Sequence, residues 1–153
     1  VLFRSVIMKI TSEADYALRI VSHLAREERL ADSGAVSDAV KVSERFTVKI
    51  LRKLMLGGLV RSQKGASGGY ELARDPGLIS MKDVIELIDG PLTMNKCLDD
   101  TYECSRNSYD KGCCKFHLIF EKLNLQLSKK LGLITIDMIA DNSVGSDEIL
   151  QVI

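Results

Sequence analysis

Four cysteines gather in the second half of the chain, Cys97, Cys104, Cys113 and Cys114, and the run Cys114-Lys115-Phe116-His117 sets an imidazole three residues after a thiol. Six residues separate Cys97 from Cys104, and nine separate Cys104 from Cys114. Thiolates and imidazole in such a group are ligands for soft and borderline metals. A tetrahedral zinc site of three cysteines and one histidine satisfies the spacing as readily as an iron-sulfur cluster does, so spacing alone does not choose. Thiol oxidation is a third chemistry, with Cys104 and the Cys113-Cys114 pair as redox switches. Structural disulfides are the weaker reading for a protein expected in the cytoplasm.

A second group of residues points to a polyanion. Between Lys41 and Lys64 seven basic residues (Lys41, Arg45, Lys49, Arg52, Lys53, Arg61, Lys64) face one acid, Glu44, so this stretch carries +6 in a chain whose net charge is zero. Arg45, Lys49 and Arg52 are spaced i, i+4 and i+7, which places them on one face of a helix whose other face is Phe46, Ile50, Leu51 and Leu54. Such a row reaches phosphates or the acceptor edges of guanine in a major groove. Ser43 and Thr47 at the start of the helix add donors. Taken alone, the row also fits a merely solvated helix face. What favours nucleic acid is the glycine-rich stretch that follows, with Lys64 placed to touch phosphate or enter the minor groove.

The elements that position these groups are legible as periodicity and punctuation. Apolar residues Ala14, Ala17, Leu18, Val21, Leu24 and Ala25 recur at helical spacing from Thr11 to about Glu28, with Ser12 as the predicted cap. Asp32-Ser33-Gly34 signals a turn before a short helix over Ala35 to Val40. Ser43 opens the helix of the basic row, and Gly57-Gly58 stops it near Leu56. Leu59 to Arg61 and Tyr70 to Leu72 read as two strands of a hairpin. Ser80 and Asp83 predict a capped helix from Met81 to Ile88. Apolar content collapses between Asn95 and Cys114, which predicts a long loop, and returns in a helix from Lys115 to about Leu131. That helix has one apolar stripe of Phe116, Phe120, Leu123, Leu127 and Leu131 and another of Leu118 and Leu125, so two partners are expected: its own domain and the same helix of a second subunit. Thr135 caps a short helix to Ala140, and residues 141–153 are expected to fray.

Hydrophobic residues make up 46% of the 153 and charged residues 27%, enough for a packed core and too apolar for a disordered chain. Apolar runs are interrupted well short of the roughly 20 residues that cross a bilayer, and Val1 to Ile7 lack a signal-peptide core, so no membrane partner is expected. Met8 reads as the native start. No Ser/His/Asp arrangement, nucleotide loop or paired acid and base stands out, which disfavours a metalloenzyme or any other enzyme.

Helix, turn, helix and glycine-rich hairpin is the winged-helix order. The string VSERFTVKILRKLMLGGLVRSQKGASGGYELARDPGLISMKDVIELIDG, preceded by MKITSEADYALRIVSHLA, resembles the Rrf-two family of winged-helix transcriptional regulators, with the likeness running from about Met8 to Ala140. The resemblance implies a mainly α fold with a small β wing: a winged helix-turn-helix DNA-binding domain over 8–90, a cysteine-rich loop over 91–114, a long C-terminal dimerisation helix over 115–140, and a disordered tail over 141–153. It implies a homodimer that binds a palindromic operator in double-stranded DNA as a repressor. Ser43, Arg45, Lys49 and Lys64 match the family's DNA-contact positions. Cys97, Cys104 and Cys114 match the positions where members hold an iron-sulfur cluster, with Cys113 as an alternative to its neighbour. The fourth ligand is His117 in one branch of the family and a carboxylate at Asp15 in another. The gaps between cysteines are longer than usual in the family, and 2Fe-2S is preferred over 4Fe-4S.

Overall fold

The computed structural model describes residues 10–27, 29–65, 67–104 and 114–153. Helix α1 (Ser12–Arg26) is the hub. Thr11, not Ser12, caps it, its hydroxyl accepting from the Ala14 amide at 3.2 Å. Ala14, Ala17, Ile20, Val21 and Leu24 form the buried stripe, and the two alanines let neighbouring helices approach closely. Helix α2 (Ser33–Val40) begins earlier than the periodicity suggests because the Asp32 carboxylate accepts from the Ala35 amide at 2.9 Å. It ends at Lys41, which takes a left-handed conformation with φ of 58°. A tight turn leads into α3 (Glu44–Leu56), and the Ser37 hydroxyl donates to Val42 O at 2.7 Å to brace that turn.

Strands β1 (Val60–Gln63) and β2 (Gly69–Leu72) pair antiparallel, Arg61 opposite Glu71 and Gln63 opposite Gly69. Glu71 accepts from Arg61 Nε at 2.9 Å and from Gln63 Nε2 at 3.0 Å, a cross-strand clasp on the solvent face. Ala31 pairs with Tyr70 on the other side through two backbone hydrogen bonds of 2.8 and 3.1 Å. Gly69 is required by this approach, since a Cβ there would lie 2.7 Å from Ala31 O.

A 3-10 turn at Pro76–Leu78 leads to α4 (Met81–Asp89), where Ser80 and Asp83 form the capping box expected of them. Helix α5 (Lys115–Leu133) follows the loop, and its end returns to the first domain: Ile136 N–H donates to Ile79 O and Met81 N–H to Ile134 O, both at 2.8 Å. Helix α6 (Ile136–Ala140) then packs on α1, with Ile134, Ile136 and Ala140 buried. Arg26 fastens it, donating to Ala140 O at 3.0 Å and Ile139 O at 3.1 Å. Residues 134–140 therefore complete the core built on α1. That core joins Ile20, Val36, Ile50, Leu51, Leu54, Ile79, Val84 and Ile136, and each such side chain contributes roughly 1.5–3 kcal/mol on burial.

Two expectations are corrected. The tail forms α7 (Ser146–Val152), with Asp147 and Glu148 in its first turn where the helix dipole favours acids. The apolar stripe of α5 is divided: Phe120, Leu127 and Leu131 are half-buried, whereas Phe116 and Leu123 face outward with Ile119. The inward row is His117, Phe120, Asn124, Leu127 and Leu131, spaced alternately by three and four residues.

Candidate DNA interface and thiol site

Helix α3 presents Arg45, Lys49 and Arg52 to solvent along one side, and Ser43 stands exposed at its N-cap without making a side-chain capping bond. Together with Phe46 and Val48 these residues line an open groove. Glu44 also lines this groove and accepts from the Ser33 hydroxyl at 2.7 Å, which ties α2 to α3. Lys64 is exposed in the hairpin turn between β1 and β2. Five of the six residues expected at a DNA surface thus lie exposed on α3 or the wing. Thr47 does not. It is 0% exposed, because it falls on the same face as Ile50, Leu51 and Leu54 at spacings of three, four and seven, and it cannot reach DNA.

The packing of α1 on α3 supplies residues that the sequence reading missed. Tyr16 meets Phe46 edge-on with ring centroids 5.9 Å apart, and the Lys49 ammonium lies 5.1 Å from the Phe46 centroid. Glu13 Oε1 sits 2.7 Å from Lys53 Nζ and 3.5 Å from Lys49 Nζ. The hydrogen bond and attraction from Lys53, with a further contribution from Lys49, hold the Glu13 carboxyl below its ordinary value against the opposing effect of partial burial. The only sequence signal for this role was an acid in the first turn of α1.

At the other end of the molecule, Cys97 occupies a short 3-10 turn (Lys96–Leu98) that packs against α5, and its amide donates to Asn95 Oδ1 at 3.1 Å. Asn124, on the inward row of α5, clasps the same segment: its Nδ2 donates to Leu92 O at 2.9 Å and its Oδ1 accepts from Met94 N at 3.0 Å. Cys114 is the N-cap of α5, and its carbonyl accepts from Leu118 N at 3.0 Å. Cys97, Cys104 and Cys114 are all half-buried. His117 follows Cys114 by one turn, and its Nδ1 is buried with no hydrogen-bond partner among the described residues. Among the described residues no three Cys, His, Asp or Glu side chains converge closely enough to hold a metal ion. Cys113 lies outside the described residues. Asp15 stands apart on α1, paired with Arg19 of the same helix at 2.7 Å.

A buried helix-turn-helix, a two-stranded wing and a basic row on the second helix of the motif define a winged-helix transcription regulator that binds DNA. The chain belongs to the Rrf2 family, described as an iron-dependent transcriptional regulator, which it matches over residues 10–142. It is 30% identical to an rrf2-like HTH-type transcriptional regulator of Rhodobacter capsulatus over 120 residues, covering 74% of this chain and 80% of the relative. It is 31% identical to the HTH-type transcriptional regulator CymR of Bacillus subtilis over 101 residues, covering 65% of this chain and 73% of CymR. The solved structure of CymR, the global cysteine regulator of B. subtilis, superimposes with a TM-score of 0.72 at 23% identity over 88% of this chain and 97% of that one. The relatives are transcriptional regulators, not enzymes. Among the described residues, no helix is long and apolar enough to cross a membrane.

Proposed function

We propose that the chain acts as a homodimer that reads a palindromic operator through α3 and the wing and senses its signal through an iron-sulfur cluster. The DNA side rests on the exposed row of Arg45, Lys49 and Arg52 beside Ser43 and Lys64. The cluster side rests on His117. A buried ring nitrogen left without a partner costs roughly 1–3 kcal/mol unless something occupies it; the His117 Nδ1 has none among the described residues, and His117 follows Cys114 by one helical turn. Cys97, Cys104 and Cys114 supply thiolates suited to iron, so the donor chemistry fits, and His117 completes four ligands better than Asp15, whose charge is already met by Arg19. When bound, a 2Fe-2S cluster would supply a one-electron redox centre that oxidants and nitric oxide attack.

The protein's own part is transmission. Asn124 and the Cys97 turn fix the loop to α5, the 79–81 and 134–136 pairing fixes α5 to the core, and Arg26 fixes α6 to α1. A change in the order of the loop thereby reaches the spacing of the two recognition helices.

Anaerobic purification with iron, sulfide and zinc analysis tests this reading. Brown protein with visible charge-transfer absorption is expected, bleached by serine at Cys97, Cys104 or Cys114 and retained with serine at Cys113. His117→Ala should shift the spectrum and Asp15→Ala should not. Colourless protein holding one zinc per chain would establish the zinc regulator instead, and metal-free protein with oxidisable thiols the redox regulator.

A further inference from the structure

We propose that Glu13 is a built-in competitor for the DNA backbone, a carboxylate on α1 that holds Lys49 of the basic row, together with Lys53 beside it, until phosphate displaces it. This inference rests on the reading of α3 as the recognition helix. Lys49 belongs to the exposed basic row, yet among the described residues it alone in that row is engaged in an ion pair or ring contact: its ammonium lies 3.5 Å from Glu13 and 5.1 Å from the Phe46 ring centroid. Arg45, Arg52 and Lys64 form no ion pair among the described residues. Glu13 also takes Lys53 at 2.7 Å, so one carboxylate is shared by two ammonium groups and lowers the local charge from two to one.

The arrangement has a direction. Glu13 lies in the first turn of α1, where the helix dipole favours a carboxylate, and the neighbouring lysines keep it ionised. Its side chain is only 20% exposed, so it is held against α3 rather than swinging free in solvent. A phosphate that engages Lys49 must separate it from Glu13 and then sit near the released negative charge. Loosely docked complexes on arbitrary sequence, which depend on phosphate contacts, bear this penalty in full. A cognate complex offsets it with contacts to base edges. Glu13 is thus a positioning residue that sets discrimination, not a DNA contact.

The test measures fluorescence anisotropy of full-length protein on a random-sequence duplex across a salt series, comparing wild type, Glu13→Gln, the pair Lys49→Met with Lys53→Met, and the triple variant. Glu13→Gln keeps the shape and removes the charge. It is expected to tighten binding to random duplex about threefold to tenfold and to steepen the log-log salt dependence by about one. The gain should vanish in the background lacking both lysines, an outcome that a general loss of stability does not produce. Unchanged or weaker binding by folded Glu13→Gln, or a gain that survives removal of both lysines, overturns the proposal. Should the glutamine variant fail to fold, Glu13→Ala is read by the same criteria. If the lysine pair itself leaves affinity and slope unchanged, the DNA-facing assignment of α3 has failed, and the proposal with it.

Discussion

Thr47 and Arg45 are two residues apart on one helix and have opposite fates. The Thr47 hydroxyl is fully buried and has no hydrogen-bond partner among the described residues, whereas Arg45 is exposed on the side proposed to face DNA. An unpaired buried hydroxyl costs free energy that a methyl of similar shape does not. Thr47→Val is therefore expected to keep DNA affinity and to hold stability within about 1 kcal/mol of wild type, or raise it, in urea unfolding. Arg45→Ala should do the reverse, weakening DNA binding about tenfold or more with no change in unfolding. Loss of DNA binding by folded Thr47→Val would mean that the hydroxyl reaches outward, and the burial assignment would fall. The same contrast separates the two candidate cluster ligands: the His117 Nδ1 is buried with no partner among the described residues, while the Asp15 carboxylate is half-exposed and already paired.

At the scale of elements, one side chain, Arg26, fastens α6 to α1. Arg26 donates two hydrogen bonds to the last carbonyls of α6, groups that have no partner within the helix itself. Arg26→Met keeps much of the apolar stem and removes both bonds, with an expected cost of about 1–3 kcal/mol. Hydrogen exchange should locate the effect, with faster exchange over 134–140 and little change in α2 and α3. Equal protection throughout would show that apolar burial of Ile136 and Ala140 alone holds α6. This attachment was invisible in the sequence because its partners lie 113 and 114 residues apart. What was legible was local. The capping box at Ser80 and Asp83, the stop at Gly57-Gly58 and the hairpin glycines each encode a nearby conformation. The spacing of Arg45, Lys49 and Arg52 gave the exposed face, and the same periodicity, applied to Thr47, would have shown that it points inward. Glu13 and Asn124 could not be read this way, since their roles exist only once α1 meets α3 and the loop meets α5. The α5 stripe was misdivided because Phe116 and Phe120 look alike in a periodicity count, while only packing against α4 and the Cys97 turn decides which of them faces inward.

At the scale of the whole molecule, the single chain leaves α5 unfinished. No residue of this 19-residue helix is buried, and Phe116, Ile119 and Leu123 form an outward apolar row with exposures of 60%, 56% and 43%. A palindromic operator demands two copies related by a twofold axis, and an isologous contact places the same helix face on both. The row on α5 is the surface proposed for that contact, continuous with a helix whose other side carries Asn124 and His117 and whose end is tied to the DNA-binding core. Ile119→Glu combined with Leu123→Glu should yield a monomer in sedimentation velocity, with helical content preserved because neither residue is buried in the single chain. Linking two half-site contacts raises affinity by about 10² to 10⁴. The monomer should accordingly bind a palindrome at least about a hundredfold more weakly while retaining its single half-site affinity. A dimer that survives both glutamates would shift the contact elsewhere, and the exposed Leu150, Val152 and Ile153 at the end of α7 are then the next apolar surface to charge. A monomer that still binds the palindrome with full affinity would break the link between α5 pairing and operator reading.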